Sequence, residues 1–162
     1  QGSHLIDLSH ALLGYFSGVD GRLMTYFWDM PVEDNAFLTL STTRGQVAFL
    51  HASWTQWKNY FIFEIFGSSG QLRWEGLGRS YGVEKLTHYK MSPSMEPPVV
   101  EEFKFDGEDK SFVDETKNFI DSISGKAEAD GTIDDALANM KVIEIAYAKG
   151  LPDGKFPAAR MS

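Results

Sequence analysis

His4 and Asp7 are the side chains best suited, by type and spacing, to transfer a proton. Residues three positions apart lie on one face of a helix, where a carboxylate can orient an imidazole and favour its charged form. A general acid–base catalyst needs this arrangement. A plainer interpretation is also open, because Gln-Gly-Ser-His resembles the remnant of a cleaved affinity tag and Asp7 could be an ordinary acid of a first helical turn.

Two later segments contain residues that could bind a polar, ring-shaped ligand. Trp54 and Trp57 offer indole rings close in sequence to Lys58, whose ammonium group can meet a phosphate or carboxylate. Arg79 and Tyr81 lie in a glycine-flanked loop, where hydrogen-bond donors can approach a ligand closely. The alternatives are sheet packing with a solvated lysine for the first segment and a flexible hairpin loop for the second.

The other histidines and the acidic pairs are interpreted without a chemical role. His10 and His88 are predicted to be surface residues, and His51 is predicted to be a hydrogen-bonded residue of a strand. The acidic pairs 33–34 and 101–102 are predicted to be solvated or to lie in turns.

No motif for a cofactor or a metal is recognisable. The nearest glycine-rich run, Gly76 to Gly82, lacks the Gly-x-Gly-x-x-Gly spacing and leads into a strand pattern instead of a helix. Neither a Walker loop nor a Gly-x-Ser-x-Gly elbow is present, and no histidine–carboxylate cluster has metal-ligand spacing. We therefore predict no cofactor-binding and no metal-binding residues in this sequence.

Composition narrows the class of protein. The 162 residues include 15 basic and 23 acidic side chains, a net charge of −8, and no cysteine. The length suits one domain over residues 1–162, and the acidic balance argues against nucleic acid as a partner. Without cysteine there is neither a disulfide nor a thiolate nucleophile. No apolar run of about 20 residues and no signal peptide occurs, so we expect a cytoplasmic protein that does not bind membranes.

Hydrophobic periodicity predicts helices at both ends of the chain. Leu5, Leu8 and Leu12 follow helical spacing, and Gly14 should end that helix. Helical stripes also cover 112–123 and 133–147, the second opened by a capping box from Thr132 to Asp135.

The region from Arg22 to about Phe105 alternates with period two and is rich in aromatic and branched residues, as in antiparallel strands. Together the segments predict an α+β domain: a largely antiparallel (mixed), open sheet of about six or seven strands with helices on one face. Because residues such as Phe61 and Ile62 make both sides of a strand apolar, we expect the other face to form a homodimer or larger homo-oligomer.

Several of these segments, in this order, resemble the C-terminal domain of the glucose–fructose oxidoreductase/inositol dehydrogenase (Gfo/Idh/MocA) family. They are Gly2 to Leu8, Val32 to Ala36, Ser53 to Thr55, Glu64 to Gly70, Gly76 to Gly82 and the closing stretch from Ala136 to Tyr147. Each segment is weak evidence alone, but the series spans nearly the whole chain.

The resemblance implies the substrate-binding and oligomerisation domain of an NAD- or NADP-dependent dehydrogenase of sugars, inositols or nucleotide sugars. In that family an Asp-x-x-x-His motif crosses the start of this domain. Its histidine maps onto His4, which is therefore expected to be catalytic, whereas its aspartate would precede Gln1. Asp7, Lys58, Arg79 and Tyr81 are the expected substrate-binding residues.

The family's cofactor-binding half has no counterpart in this sequence, so we expect a domain truncated at its N-terminus that binds no cofactor and is inactive alone. A standalone ligand-binding module or a dimerisation module, neither with redox activity, is the alternative.

Overall fold

The computed structural model describes residues 2–78 and 80–151, which form three helices and seven strands. In chain order they are α1 (Gly2–Leu13), β1 (Gly18–Met24), β2 (Asn35–Ser41), β3 (Val47–Ser53), β4 (Ile62–Phe66), β5 (Gly70–Glu75), β6 (Glu84–Lys90), β7 (Val99–Phe105), α2 (Ser111–Ile123) and α3 (Ile133–Gly150). Every strand pair is antiparallel. The α+β class and the number of strands are confirmed.

The strands divide between two sheets in the described part of the chain, and neither sheet closes into a barrel. One sheet has the order β1-β2-β3 and the other the order β4-β5-β6-β7. The chain accordingly forms two compact units, the first from residues up to 56 and from 127 onward, the second from residues 57–126. Period-two alternation predicts strands but carries no information about which strands pair, so the division into two sheets could not be predicted.

The first unit buries one face of its sheet under two helices. In register, Val19 lies opposite Leu40 and Leu23 opposite Ala36, so their side chains share this face. The buried core joins the sheet to both helices and consists of Ile6, Val19, Leu23, Leu38, Leu40, Val142 and Ala146. The expected covering of one sheet face by helices is confirmed for α1 and α3.

The opposite face of the same sheet is open. Arg22, Phe37 and His51 form one row across the three strands, and Phe49 belongs to the next row. Phe37 and His51 stack with ring centroids 4.4 Å apart, and the Phe49 side chain is 81% exposed. The polar residues Asp20 and Thr39 complete the row that contains Phe49.

Both helices of the first unit begin or end where the sequence predicts. Gly14 adopts φ 83°, a conformation that favours glycine, and its N–H donates to the carbonyl of His10 to end α1. At the start of α3 the Thr132 hydroxyl accepts from the Asp135 N–H, and the Asp135 carboxylate accepts from the Thr132 N–H. The predicted capping box is therefore confirmed.

The second unit has a sheet whose side chains are mostly half-buried. On one face, ion pairs join neighbouring strands, except that the Arg73–Glu75 pair lies within β5. They are Arg73–Glu64 at 3.6 Å, Arg73–Glu75 at 3.1 Å, Lys85–Glu75 at 3.3 Å and Lys85–Glu102 at 3.3 Å. Glu101 on the other face accepts from Lys90 at 2.6 Å. The acidic residues at 101–102 are thus paired with lysines, which the interpretation as solvated residues missed.

Helix α2 differs from the other two helices. Its apolar stripe was expected to pack on the sheet, but none of its residues is buried. Phe112, Phe119 and Ile123 are all more than half exposed.

None of the helices in residues 2–78 and 80–151 combines the length and hydropathy needed to cross a bilayer.

Candidate functional site

His4 and Asp7 both lie exposed on α1, as the sequence predicts, but they do not pair with each other. The Asp7 carboxylate instead accepts a hydrogen bond of 3.2 Å from the Asn139 side chain of α3. The same amide group reaches the Ser3 carbonyl at 3.4 Å. Asp7 therefore fastens the start of α1 to α3, and the His4 ring remains accessible on the surface.

His10 is buried, so the interpretation as a surface residue was wrong. Its side chain is 7% exposed, with ring centroids 4.9 Å from Phe16 and 5.5 Å from Tyr15. Neither ring nitrogen has a hydrogen-bond partner. Burial lowers the pKa of His10, although the negative charges of Asp7 and Asp135 act in the opposite direction. The missed signal is its position four residues after Ile6, on the apolar face of α1.

Asp34 was also misinterpreted as a solvated residue, and it is the centre of a buried polar network. The side chain is 1% exposed, and its oxygens accept the backbone N–H groups of Tyr26, Phe27 and Trp28 at 2.7–3.0 Å. Burial by itself would raise the pKa of Asp34, but these hydrogen bonds and one from Asn35 hold it below its usual value. The loop before β2 is therefore fastened by a buried, ionised carboxylate.

The network continues from Asn35 to the end of β3. The Asn35 amide nitrogen donates to Asp34 and to the Thr55 hydroxyl, both at 3.0 Å. The Asn35 amide oxygen contacts His51 Nε2 at 3.1 Å, which confirms His51 as a hydrogen-bonded strand residue and requires the proton on Nε2. Ser53 and Thr55 share a hydrogen bond of 2.9 Å.

The network fixes the backbone of a segment that carries exposed aromatic rings. Tyr26, Phe27 and Trp28 follow β1 and are each about half exposed. Trp28 Nε1 donates to the Trp54 carbonyl at 3.1 Å, which brings two of the indole-bearing residues together. Trp54 itself is exposed at the end of β3.

Of the remaining predicted site residues, Lys58 is exposed and lies in the second unit. Tyr81 is half-buried in the loop between β5 and β6 and lines a cleft. Arg79 lies outside the described residues.

We call this cleft the β5–β6 cleft. It lies within the second unit and has a volume of about 600 Å³. Its lining combines aromatic and charged residues, among them Tyr60, Phe61, Tyr81, Lys85, Lys104 and Asp106. The adjoining loop is fixed at Gly76, where φ is 76° and a Cβ atom would lie 2.4 Å from the Val83 carbonyl oxygen.

No group of three histidine or acidic side chains in the described ranges is arranged to hold a metal ion. The structure thus has two chemically distinct surfaces: α1 with its accessible histidine in the first unit, and the β5–β6 cleft in the second.

Comparison with protein families gives a match over part of the chain. Residues 1–73 match the family described as the GFO/IDH/MocA C-terminal domain. No curated protein matches the sequence at a significant level.

Solved structures resemble nearly the whole chain. A protein from Desulfitobacterium hafniense described as an NADPH-dependent oxidoreductase has a TM-score of 0.75 and 18% identity over 90% of this chain and 43% of its own. Levoglucosan dehydrogenase in complex with NADH and levoglucosan has a TM-score of 0.71 and 19% identity over 92% of this chain and 47% of its own.

A third similar structure is the WlbA dehydrogenase of Bordetella pertussis in complex with NADH and UDP-GlcNAcA. Its TM-score is 0.62 and its identity 18%, over 88% of this chain and 39% of its own. The present chain thus spans less than half the length of each of these three proteins.

Proposed function

From the match of residues 1–73 to the family described as the GFO/IDH/MocA C-terminal domain, we propose that this chain is the substrate-binding and oligomerisation domain of an NAD- or NADP-dependent dehydrogenase. The substrate class would be sugars, inositols or nucleotide sugars. The single observation that carries the proposal is the family match over residues 1–73, which include the accessible His4. The NADH complexes of levoglucosan dehydrogenase and the WlbA dehydrogenase support the cofactor and the sugar class.

The described residues do not fit a nicotinamide cofactor. Dinucleotide sites are built where a parallel strand passes through a glycine-rich turn into a helix. Every described strand pair is antiparallel, and the glycine-rich loop from Gly76 to Gly82 connects β5 to β6. We therefore propose that another part of the protein binds the cofactor and that this chain does not reduce NAD or NADP by itself.

His4 is the residue we propose for proton transfer. Its ring is exposed on α1, so a substrate hydroxyl can approach it, and imidazole is the side chain that most often serves as a general acid or base. Asp7 would act on the substrate side of the same helix, and its hydrogen bond to Asn139 fixes the direction of its carboxylate. His4 would accept the hydroxyl proton while the substrate is oxidised.

The substrate-binding roles of Lys58, Arg79 and Tyr81 remain proposals. Tyr81 is supported by its place in the β5–β6 cleft, and Lys58 by the exposure of its side chain.

We further propose that the open face of the β1–β3 sheet forms the contact between subunits. Phe37 and Phe49 expose apolar rings there among the polar residues Asp20 and Arg22. Rings surrounded by polar groups are typical of interface centres.

The dehydrogenase proposal is tested by following NADH or NADPH formation through the absorbance at 340 nm. The assay is run with this chain and with the product of its complete reading frame. With levoglucosan, glucose, myo-inositol and UDP-GlcNAcA as substrates, we expect NADH or NADPH formation from the complete product only. If the chain alone reduced either cofactor, the proposed division of labour would be wrong. If the complete product bound a sugar tightly without reducing either cofactor, the non-redox binding module would replace the dehydrogenase.

A further inference from the structure

The β5–β6 cleft has an unusual arrangement of charge. Ile62, Glu75, Lys85 and Lys104 follow one another across the four strands in register, so their side chains share one face of the sheet. Lys85 and Lys104 are directly opposite each other. Like charges at such positions destabilise a sheet unless another group compensates them.

Only one of these two lysines is compensated within the described residues. Lys85 Nζ lies 3.3 Å from Glu75 and 3.3 Å from Glu102, so its charge is balanced twice. Lys104 has no ion pair or hydrogen bond in the same part of the chain. Asp106, which also lines the cleft, has an interaction partner of its own. The cleft therefore presents one exposed ammonium group, that of Lys104, which can pair with an anion.

The remaining lining suits a ring. Tyr60 and Tyr81 offer flat aromatic surfaces, and Ile62 and Val83 extend the apolar wall. Phe61 also lines the cleft, but its ring contacts Phe63 and Trp74. Binding sites for small molecules typically combine such walls with a few well-placed polar groups. The volume of about 600 Å³ is in the usual range for these sites.

We propose that the β5–β6 cleft binds a sugar that carries an acidic group, a carboxylate or a phosphate, and that Lys104 contacts the acid while the aromatic side chains contact the sugar ring. This inference rests on the proposed function, which makes a sugar the substrate, and it narrows the substrate class to acidic sugars. Lys104 is thereby proposed as a specificity-determining residue.

Titrations of the 162-residue chain followed by NMR provide the test, with glucuronate, glucose 1-phosphate and neutral glucose as probes. We expect both acidic sugars to bind at least tenfold more tightly than glucose. Lys104→Gln should weaken their binding at least tenfold and leave glucose binding unchanged, because a hydrogen bond to a charged group is replaced by a neutral one. Lys117→Gln is the control, since it makes the same charge change on exposed α2, outside the cleft.

The two acidic probes distinguish the source of the charge. Preference for glucuronate indicates a sugar acid, and preference for glucose 1-phosphate indicates a phosphorylated or nucleotide-linked sugar; either supports the proposal. Equal affinity for glucose, unchanged affinity in Lys104→Gln, or no binding of any probe would overturn it. These results are independent of cofactor reduction, so failure of the dehydrogenase proposal would appear in the absorbance assay and not in the titrations.

Discussion

At the scale of single residues, buried polar groups affect the stability of the fold more than the exposed residues His4 and Asp7 do. Asp34 is ionised in the interior and supports three consecutive backbone N–H groups of an aromatic loop. His10 is buried with both ring nitrogens unpaired. A buried acceptor that is fully hydrogen-bonded stabilises its surroundings, whereas an unpaired buried group costs free energy that other contacts must offset.

Asp34→Asn should destabilise the protein. The amide replaces an anion that accepts several hydrogen bonds and places its own N–H groups near the loop N–H groups, so we expect a loss of about 2–3 kcal/mol in the free energy of unfolding. Urea unfolding of the wild type and the variant measures this difference in the free energy of unfolding. Asp29→Asn, an exposed change in the same loop, is the control and should have little effect. Equal stability of the two variants would show that the Asp34 network does not hold the loop.

His10 should make stability depend on pH. Its pKa is lower in the folded state than the usual 6.5, so the unfolded chain binds the proton more strongly. The contribution is therefore complete above about pH 6.5 and is lost as the pH falls. Thermal unfolding between pH 5 and 8 should show this slope, and His10→Leu should flatten it. Should His10→Leu keep the slope while His88→Gln removes it, the assignment to His10 would be wrong.

At the scale of elements, local signals in the sequence predicted most of the structure. The alternation from Val47 to Thr55 and the capping box at Thr132 gave β3 and the start of α3 nearly to the residue. Features made by segments that are distant in the sequence could not be predicted in this way. Asp34 is buried because the chain folds back from Tyr26, eight residues earlier, and the two sheets depend on which strands pair. Neither the burial of Asp34 nor the pairing of strands produces a periodic pattern in the sequence.

For the candidate site residues too, local patterns predicted some positions, whereas contacts between distant residues could not be predicted. Exposure of His4 on a helix face follows from its spacing, and the glycine-flanked loop placed Tyr81 at a cleft. The contact of Asp7 with Asn139 joins residues 132 positions apart, and no local pattern could predict it.

Tyr147 joins α3 to the segment before β2 and should affect stability at alkaline pH. Its hydroxyl donates to Glu33 Oε2 at 2.5 Å, and burial together with this carboxylate raises the pKa of Tyr147 to about 12. The folded state thus favours the protonated phenol, so stability should be complete below pH 10 and fall between pH 10 and 12. Tyr147→Phe should lower stability by about 1 kcal/mol at pH 8 and reduce the alkaline loss, as measured by urea unfolding. An unchanged alkaline loss in this variant would contradict the assignment.

At the scale of the whole molecule, the proposed function requires a cofactor-binding part in addition to this chain and a contact between subunits. The chain covers 39–47% of the three solved structures to which it is compared, and its described strands form no dinucleotide site. The open face of the β1–β3 sheet and the apolar stripe of α2 both expose aromatic rings, and exposed apolar patches commonly mark interaction sites.

Phe49→Glu should convert an oligomer into a monomer. The substitution places a charge at the centre of the open sheet face, where burial in an interface would desolvate it. Light scattering coupled to size-exclusion chromatography at high micromolar concentration gives the mass. Leu12→Glu, an exposed change on α1, should leave the mass unchanged. A wild-type monomer would contradict the proposed contact.

We propose that this chain supplies the proton-transfer residue of a sugar dehydrogenase, and the steady-state activity of the complete reading-frame product carrying His4→Asn tests this most directly. We predict that kcat falls by about 10²–10⁴-fold with the protein still folded, and that the control His88→Asn retains activity. Wild-type kcat in His4→Asn, or no cofactor reduction by the unmodified product, would contradict the account.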